Sequence, residues 1–130
     1  MNNIENKFIP YEQTLALKEL GFDEPCFATY HKELHAIIPI YAIYTNQDVI
    51  KAPLYQQCFK WFREKHNLLG GVYSNASGWA WEIHDNIGGT HRFASEYTGD
   101  CLESGMFTSF EKAELNCIKY LIEIVKTKQI

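Results

Sequence analysis

Apolar residues recur with a helical period in three stretches of the chain and with a strand period between them. The clearest helical stretch covers residues 52–68. There Leu54, Tyr55, Cys58, Phe59 and Phe62 fall at spacings of three and four, while Gln56, Gln57, Lys60, Arg63 and Glu64 point away. Pro53 is expected at the first helical position, where its missing N–H is no loss and its φ is already helical. Asn67 is expected to end the helix in the left-handed conformation, with Gly70-Gly71 unable to continue it. A shorter helix is predicted over residues 11–20 behind Pro10, with Gln13, Ala16, Leu17 and Leu20 on one face. Gly21 then stands where positive φ is preferred, and Phe22 where a Schellman motif sets a hydrophobic contact back onto Leu17. The last helix is the longest. Thr108 and Glu111 have capping-box spacing ahead of it, and Phe110, Ala113, Cys117, Leu121, Ile124 and Val125 form a stripe widened by Ile118 and Ile122. Lys126 and Lys128 near its end suit the negative pole of the helix dipole.

Between the helices the pattern changes to β-branched and aromatic runs. Residues 26–31 and 34–44 read as two strands, joined by a loop wider than Lys32-Glu33, since neither residue favours positive φ. Pro39 cannot donate to a ladder and predicts an edge or a bulge. Residues 45–51 read as a polar connection. Residues 72–76 read as the start of a strand and 74–78 as a turn. Residues 79–84 then alternate, with Trp79, Trp81 and Ile83 on one side and Ala80, Glu82 and His84 on the other. Their natural partner is 90–97, across a loop of residues 85–89. Matching apolar to apolar and charge to charge sets Trp81 opposite Phe93, Ala80 opposite Ala94 and Glu82 opposite Arg92. Residues 99–105 form a polar loop. The expected fold is therefore α+β, in the order α-β-β-α-β-β-α, with an antiparallel sheet of about four strands carrying three helices.

Composition narrows the class. The chain has 130 residues, 46% hydrophobic and 22% charged, which fits one globular domain over residues 1–130 with a core that needs no metal or disulfide. A formal charge of -4 and no basic block argue against non-specific binding to nucleic acid. Cys26, Cys58, Cys101 and Cys117 lack C-x-x-C spacing and read as free thiols. With no signal peptide and no membrane-length apolar run, the cytoplasm is the expected compartment.

Candidate chemistry is sparse. His31 and His35 flank one predicted turn and His84 and His91 another, so each pair would meet at a hairpin mouth. A zinc site needs three or four converging ligands, and no metal-binding motif is present. Asp85, Glu96, Asp100 and Glu103 are loop carboxylates, and Cys101 is the one cysteine in a polar loop. No nucleophile elbow, phosphate-binding loop or dinucleotide-binding glycine pattern occurs, and Gly70-Gly71 and Gly88-Gly89 read as turn residues. No catalytic, cofactor or metal residue is assigned, and the reading favours binding over catalysis. The candidate surface is the aromatic hairpin Trp79, Trp81, Phe93 and Tyr97 with Arg92, and its alternative is that these aromatics are core.

Several segments resemble a set of short uncharacterised proteins encoded by bacteriophages and by bacteria of the Bacteroidetes group. They are IPYEQ at 9–13, LKELGFDEPCF at 17–27, APLYQQ at 52–57, FKWFREKH at 59–66, EKAEL at 111–115 and LIEIVK at 121–126. The resemblance covers the three helices and implies a phage or prophage origin, with a bacterial host cytoplasm as the setting. It brings no activity, cofactor or site residue. The expected role is an accessory protein that binds a host or phage protein. The alternatives are a counter-defence binder that sequesters a small nucleotide, and a small hydrolase or transferase with a histidine and carboxylate site. The oligomeric state is open, a homodimer included.

Overall fold

The computed structural model describes residues 7–39, 49–76, 78–85, 91–93 and 107–128, with the backbone alone at 38, 39, 75, 85, 91–93 and 128. Among these the order is α1 (Tyr11–Glu19), β1 (Ala28–His31), β2 (Ile37–Pro39), β3 (Val49–Ala52), α2 (Tyr55–His66), β4 (Leu68–Asn75), β5 (Gly78–Asp85), β6 (His91–Phe93) and α3 (Phe110–Lys128). The α+β class, the three helices and the antiparallel pairing are as expected. The strands form two three-stranded sheets, β2-β1-β3 and β4-β5-β6. The chain divides into two compact units, Met1–Cys58 and Phe59–Ile130, with the division inside α2.

In the first unit, β1 is central. Ala28 pairs with Ala52 and Tyr30 with Ile50, so one face of the sheet carries the buried side chains Ala28, Tyr30, Ile50 and Ala52, joined by Phe8. Lys51, one residue out of phase, is exposed. Residues 49–52 are thus a strand and not the tail of a polar connection: the short alternation of Val49, Ile50, Lys51 and Ala52 is enough once β1 supplies the pairing. Pro39 ends β2, an edge strand, as a residue without an N–H requires. The β1–β2 loop is wider than two residues. His31 N–H donates to Ala36 O, and the positive φ falls on His35, at 54°.

The first helix ends in the Schellman geometry that its sequence announces. Phe22 N–H donates to Leu17 O and Gly21 N–H to Lys18 O, both at 3.0 Å, with Gly21 at φ 103°. Its buried face centres on Leu17 and on Thr14, whose hydroxyl donates to Ile9 O at 3.0 Å. Gln13, Ala16 and Leu20 lie only half-buried around them. The central helix begins two residues later than expected. Pro53 is buried in an extended segment, where its carbonyl accepts from Ile9 N–H at 2.9 Å. Leu54 takes the cap position instead. Its N–H donates to Gln57 Oε1 at 2.9 Å and its carbonyl accepts from Cys58 N–H, which is half of a capping box. Gln57 also donates to Pro25 O at 2.8 Å, tying the helix start to the turn before β1.

In the second unit, Asn67 turns the chain out of α2 at φ 57° and β4 starts at once. Gly70 and Gly71 are therefore strand residues and not a turn. A Cβ on Gly70 would lie 3.0 Å from Leu121 Cδ1, 3.1 Å from Cys117 Sγ and 3.2 Å from Phe59 Cε1, so the bare backbone is what lets α3 approach. Ala113, Cys117, Ile118, Leu121, Ile122 and Val125 are all buried along α3. Its cap is Ser109 and not Thr108: Lys112 N–H donates to Ser109 Oγ at 3.2 Å and Ala113 N–H to Ser109 O. Ser109 stands three residues before Lys112, the spacing the cap bond requires, whereas Thr108 is one residue too early and is exposed.

The β5–β6 register also differs from expectation. Glu82 pairs with Phe93, Ile83 with Arg92 and His84 with His91, a slip of one residue from the pairing that matched Trp81 with Phe93 and Glu82 with Arg92. Each such cross-strand match is worth below about 1 kcal/mol, too little to fix the register of a three-residue edge strand. Expectations for residues 40–48, 86–90 and 94–106, among them Tyr97, Cys101 and Gly88-Gly89, lie outside the described residues.

Candidate functional site

The hairpin β4–β5 separates the two tryptophans by depth. Trp81 is fully buried: its indole N–H donates to Asn116 Oδ1 at 2.8 Å, and its ring lies 5.5 Å from Tyr120 at 23° between planes. That indole is satisfied within the unit, and Trp81 belongs to the core side of the candidate surface. Trp79 is half-buried at the hairpin end. Its backbone exchanges two hydrogen bonds with Phe107, which sets the approach to α3 beside β5. The Trp79 ring meets Phe110 edge-on at 5.4 Å and 81°, and Phe110 is 37% exposed. Tyr73, 43% exposed, pairs with Ala80 and so occupies the opposite face of the same hairpin end. Arg92 and Phe93 are placed by their backbone opposite Ile83 and Glu82.

Phe107 and Phe110 are the residues that sequence reading missed. By its spacing Phe110 belongs to the predicted stripe of the last helix. It is the first residue of α3, where the helix overhangs its own core, and the shift of the cap to Ser109 would have signalled that position. The flank of this aromatic pair is acidic. Glu111 and Glu114 follow in the first turns of α3, and the carboxyl of Glu114 is pushed up to about 7, first by burial and then by the charge of Glu111. Phe110 and Glu114, four residues apart, share a helix face.

His31, His35 and His66 have separate structural tasks. His31 Nδ1 accepts from the N–H groups of Glu33 and Leu34, closing the β1–β2 loop, and His35 stacks on Tyr11 at 3.7 Å. His66 packs against Trp61 and Phe62. Trp61 is buried, while Lys60 beside it is exposed and lies 4.0 Å from Glu64. Among the described side chains no three of His, Cys, Asp or Glu come together as metal ligands. Cys26, Cys58 and Cys117 are buried free thiols; burial pushes Cys26 up to about 11 and Cys117 well up too. All three pack as small apolar side chains.

In the first unit a cavity of about 170 Å³ opens between α1 and β3 beside Lys18, Asp23 and Lys51. Lys51 Nζ holds Asp23 Oδ1 at 2.8 Å, and that hydrogen bond and charge keep the Asp23 carboxyl below its ordinary range. The cavity is smaller than the ~300 Å³ at which small-molecule sites begin. No helix among the described residues is long and apolar enough to cross a membrane. Compared with known proteins, the chain matches no family model, no curated protein and no solved structure.

Proposed function

We propose that the chain acts by binding, as an accessory protein whose partner is another protein engaged at the Trp79–Phe110 end of the second unit. The observation that carries this reading is the edge-on pair itself: a half-buried indole supports a phenyl ring that is 37% exposed. An aromatic held rigid by its neighbour and left open to water is the kind of anchor on which interface energy concentrates, and Glu111 and Glu114 give it a polar rim. The proposed partner is a host or phage protein in a bacterial cytoplasm, as the resemblance of the helix segments to phage and Bacteroidetes proteins implies. Sequestration of a nucleotide finds less support. Arg63 and Arg92 are the only arginines in the chain, and Lys51 beside the cavity of the first unit is already paired with Asp23.

The test is affinity capture with native mass spectrometry from phage-infected and uninfected Bacteroidetes cells, comparing the wild type with Phe110→Ala. A polypeptide that binds the wild type and is lost with Phe110→Ala supports the reading. Equal retention by the variant moves the interface elsewhere. A sub-kilodalton adduct with no polypeptide overturns it in favour of small-ligand sequestration.

A further inference from the structure

The acidic flank of the Trp79–Phe110 pair lacks a counter-charge. Phe110 opens α3, Glu111 follows it and is exposed, and Glu114 stands one turn on, on the face that Phe110 occupies. Among the described residues neither carboxylate has an ion pair or a hydrogen bond. Glu114 is half-buried all the same. A carboxylate taken partly out of water with no cation beside it carries an uncompensated desolvation cost, and its carboxyl is pushed up by burial and then by Glu111. The nearest basic residues along the helix do not relieve it. Lys112 and Lys119, two and nine residues after Phe110, lie about 180–200° round the helix from it at 3.6 residues per turn. Residues 93–111 of the sequence hold Glu96, Asp100, Glu103 and Glu111 and no lysine, arginine or histidine.

We infer that the partner meets this end of the second unit with an arginine-bearing basic segment, its guanidinium lying against Phe110 and its charge facing Glu111 and Glu114. The inference rests on the reading of Trp79 and Phe110 as a protein-binding surface and names the chemistry of what binds there. Arginine stacks its planar fork on an aromatic face while the N–H groups of the fork donate to carboxylate oxygens, whereas lysine presents a strongly hydrated point charge. An apolar segment would leave Glu114 desolvated and unpaired, and an acidic one would add like charge to it. A guanidinium supplies the counter-charge that this face lacks and covers the exposed part of Phe110 in the same contact.

The test is fluorescence anisotropy of a dye-labelled peptide of alternating arginine and glycine with the full chain, against a glutamate–glycine peptide of equal length. The variants are Phe110→Ala, the double Glu111→Gln/Glu114→Gln, and the control double Glu12→Gln/Glu19→Gln, which removes the same charge from exposed sites in the first unit. The expected result is saturable binding of the arginine peptide alone, weakened about tenfold by Phe110→Ala and by the Glu111/Glu114 double and unchanged by the control double. Equal loss in both doubles, or full affinity in Phe110→Ala, overturns the inference. So does a wild type that binds neither peptide or both alike, a result that needs no variant to fold. Capture from infected cells separates this inference from the reading it rests on: a polypeptide lost with Phe110→Ala but retained by the Glu111/Glu114 double keeps the protein-binding surface and overturns the basic partner.

Discussion

In the first unit the carbonyl of Ile9 accepts two buried hydrogen bonds, from the Thr14 hydroxyl of α1 at 3.0 Å and from the Tyr30 hydroxyl of β1 at 2.6 Å. In the second unit the layer between α3 and its sheet is built from apolar bulk, with Trp81, Ile83, Cys117, Ile118 and Leu121 buried and the Trp81 indole N–H given to Asn116. The first unit has short strands and small core residues such as Ala28 and Ala52, so it fixes its helix through a shared acceptor. The second has two eight-residue strands and a nineteen-residue helix, and relies on close approach. Directional bonds specify position where little area is buried, and area suffices where there is much of it.

The strongest test of this contrast is Trp81→Ala, which removes the largest buried side chain of the second unit and leaves Asn116 without its donor. A loss of about 4 kcal/mol in urea unfolding is expected. In the first unit, Tyr30→Phe and Thr14→Val should each cost about 1 kcal/mol, because Ile9 O keeps one bond in either variant. The double variant should lose more than the sum, since the buried carbonyl is then left without a side-chain donor. Strict additivity would show that the acceptor is not shared in energy.

Neighbouring glycines sharpen the same comparison. Gly70→Ala should cost about 2 kcal/mol, through contacts of 3.0–3.2 Å with Leu121, Cys117 and Phe59. Gly71→Ala should be neutral or slightly stabilising, by up to about 0.5 kcal/mol, because nothing lies within 4 Å of a Cβ there. Glu114 adds an effect that depends on pH. Its folded pKa, about 7, lies above the ordinary value of 4.5, so the folded state holds this proton more tightly than the unfolded chain does. The contribution is complete below the ordinary value and is lost as pH rises through about 7. Thermal stability should therefore fall as pH rises from about 4.5 to about 7 and level off above that, by no more than about 1 kcal/mol after allowance for the exposed half of the side chain. Glu114→Gln should flatten that slope.

Local rules with a single strong preference were legible in the sequence. Gly21 and Asn67 take positive φ where their helices end, Phe22 returns to Leu17, Pro39 sits on an edge strand, and of the α3 stripe Ala113, Cys117, Ile118, Leu121, Ile122 and Val125 are buried. What could not be read depends on a partner distant in the chain. Residues 49–52 become a strand because β1 is there to pair with them, and Gly70 is a strand residue because α3 lies against it. Pro53 yields the helix start to Leu54 because its carbonyl is taken by Ile9. The β5–β6 register expected from side-chain matches rests on individually weak terms, and the strands pair one residue away from it. Of the candidate surface, sequence reading supplied Trp79. It left the depth of Trp81 open between surface and core, and it placed Phe110 in the core, because period alone does not tell where a helix overhangs its sheet.

The depths of the three tryptophans make the protein its own optical reporter. Trp81 and Trp61 are buried, at 0% and 5% exposure, whereas Trp79 is half-buried beside Phe110. Emission from the first two is shielded from a water-borne quencher such as acrylamide, so the quenchable fraction of the native signal comes chiefly from Trp79. A partner seated on Phe110 would reduce that fraction and leave the rest unchanged, which makes the interaction measurable without a label at any residue.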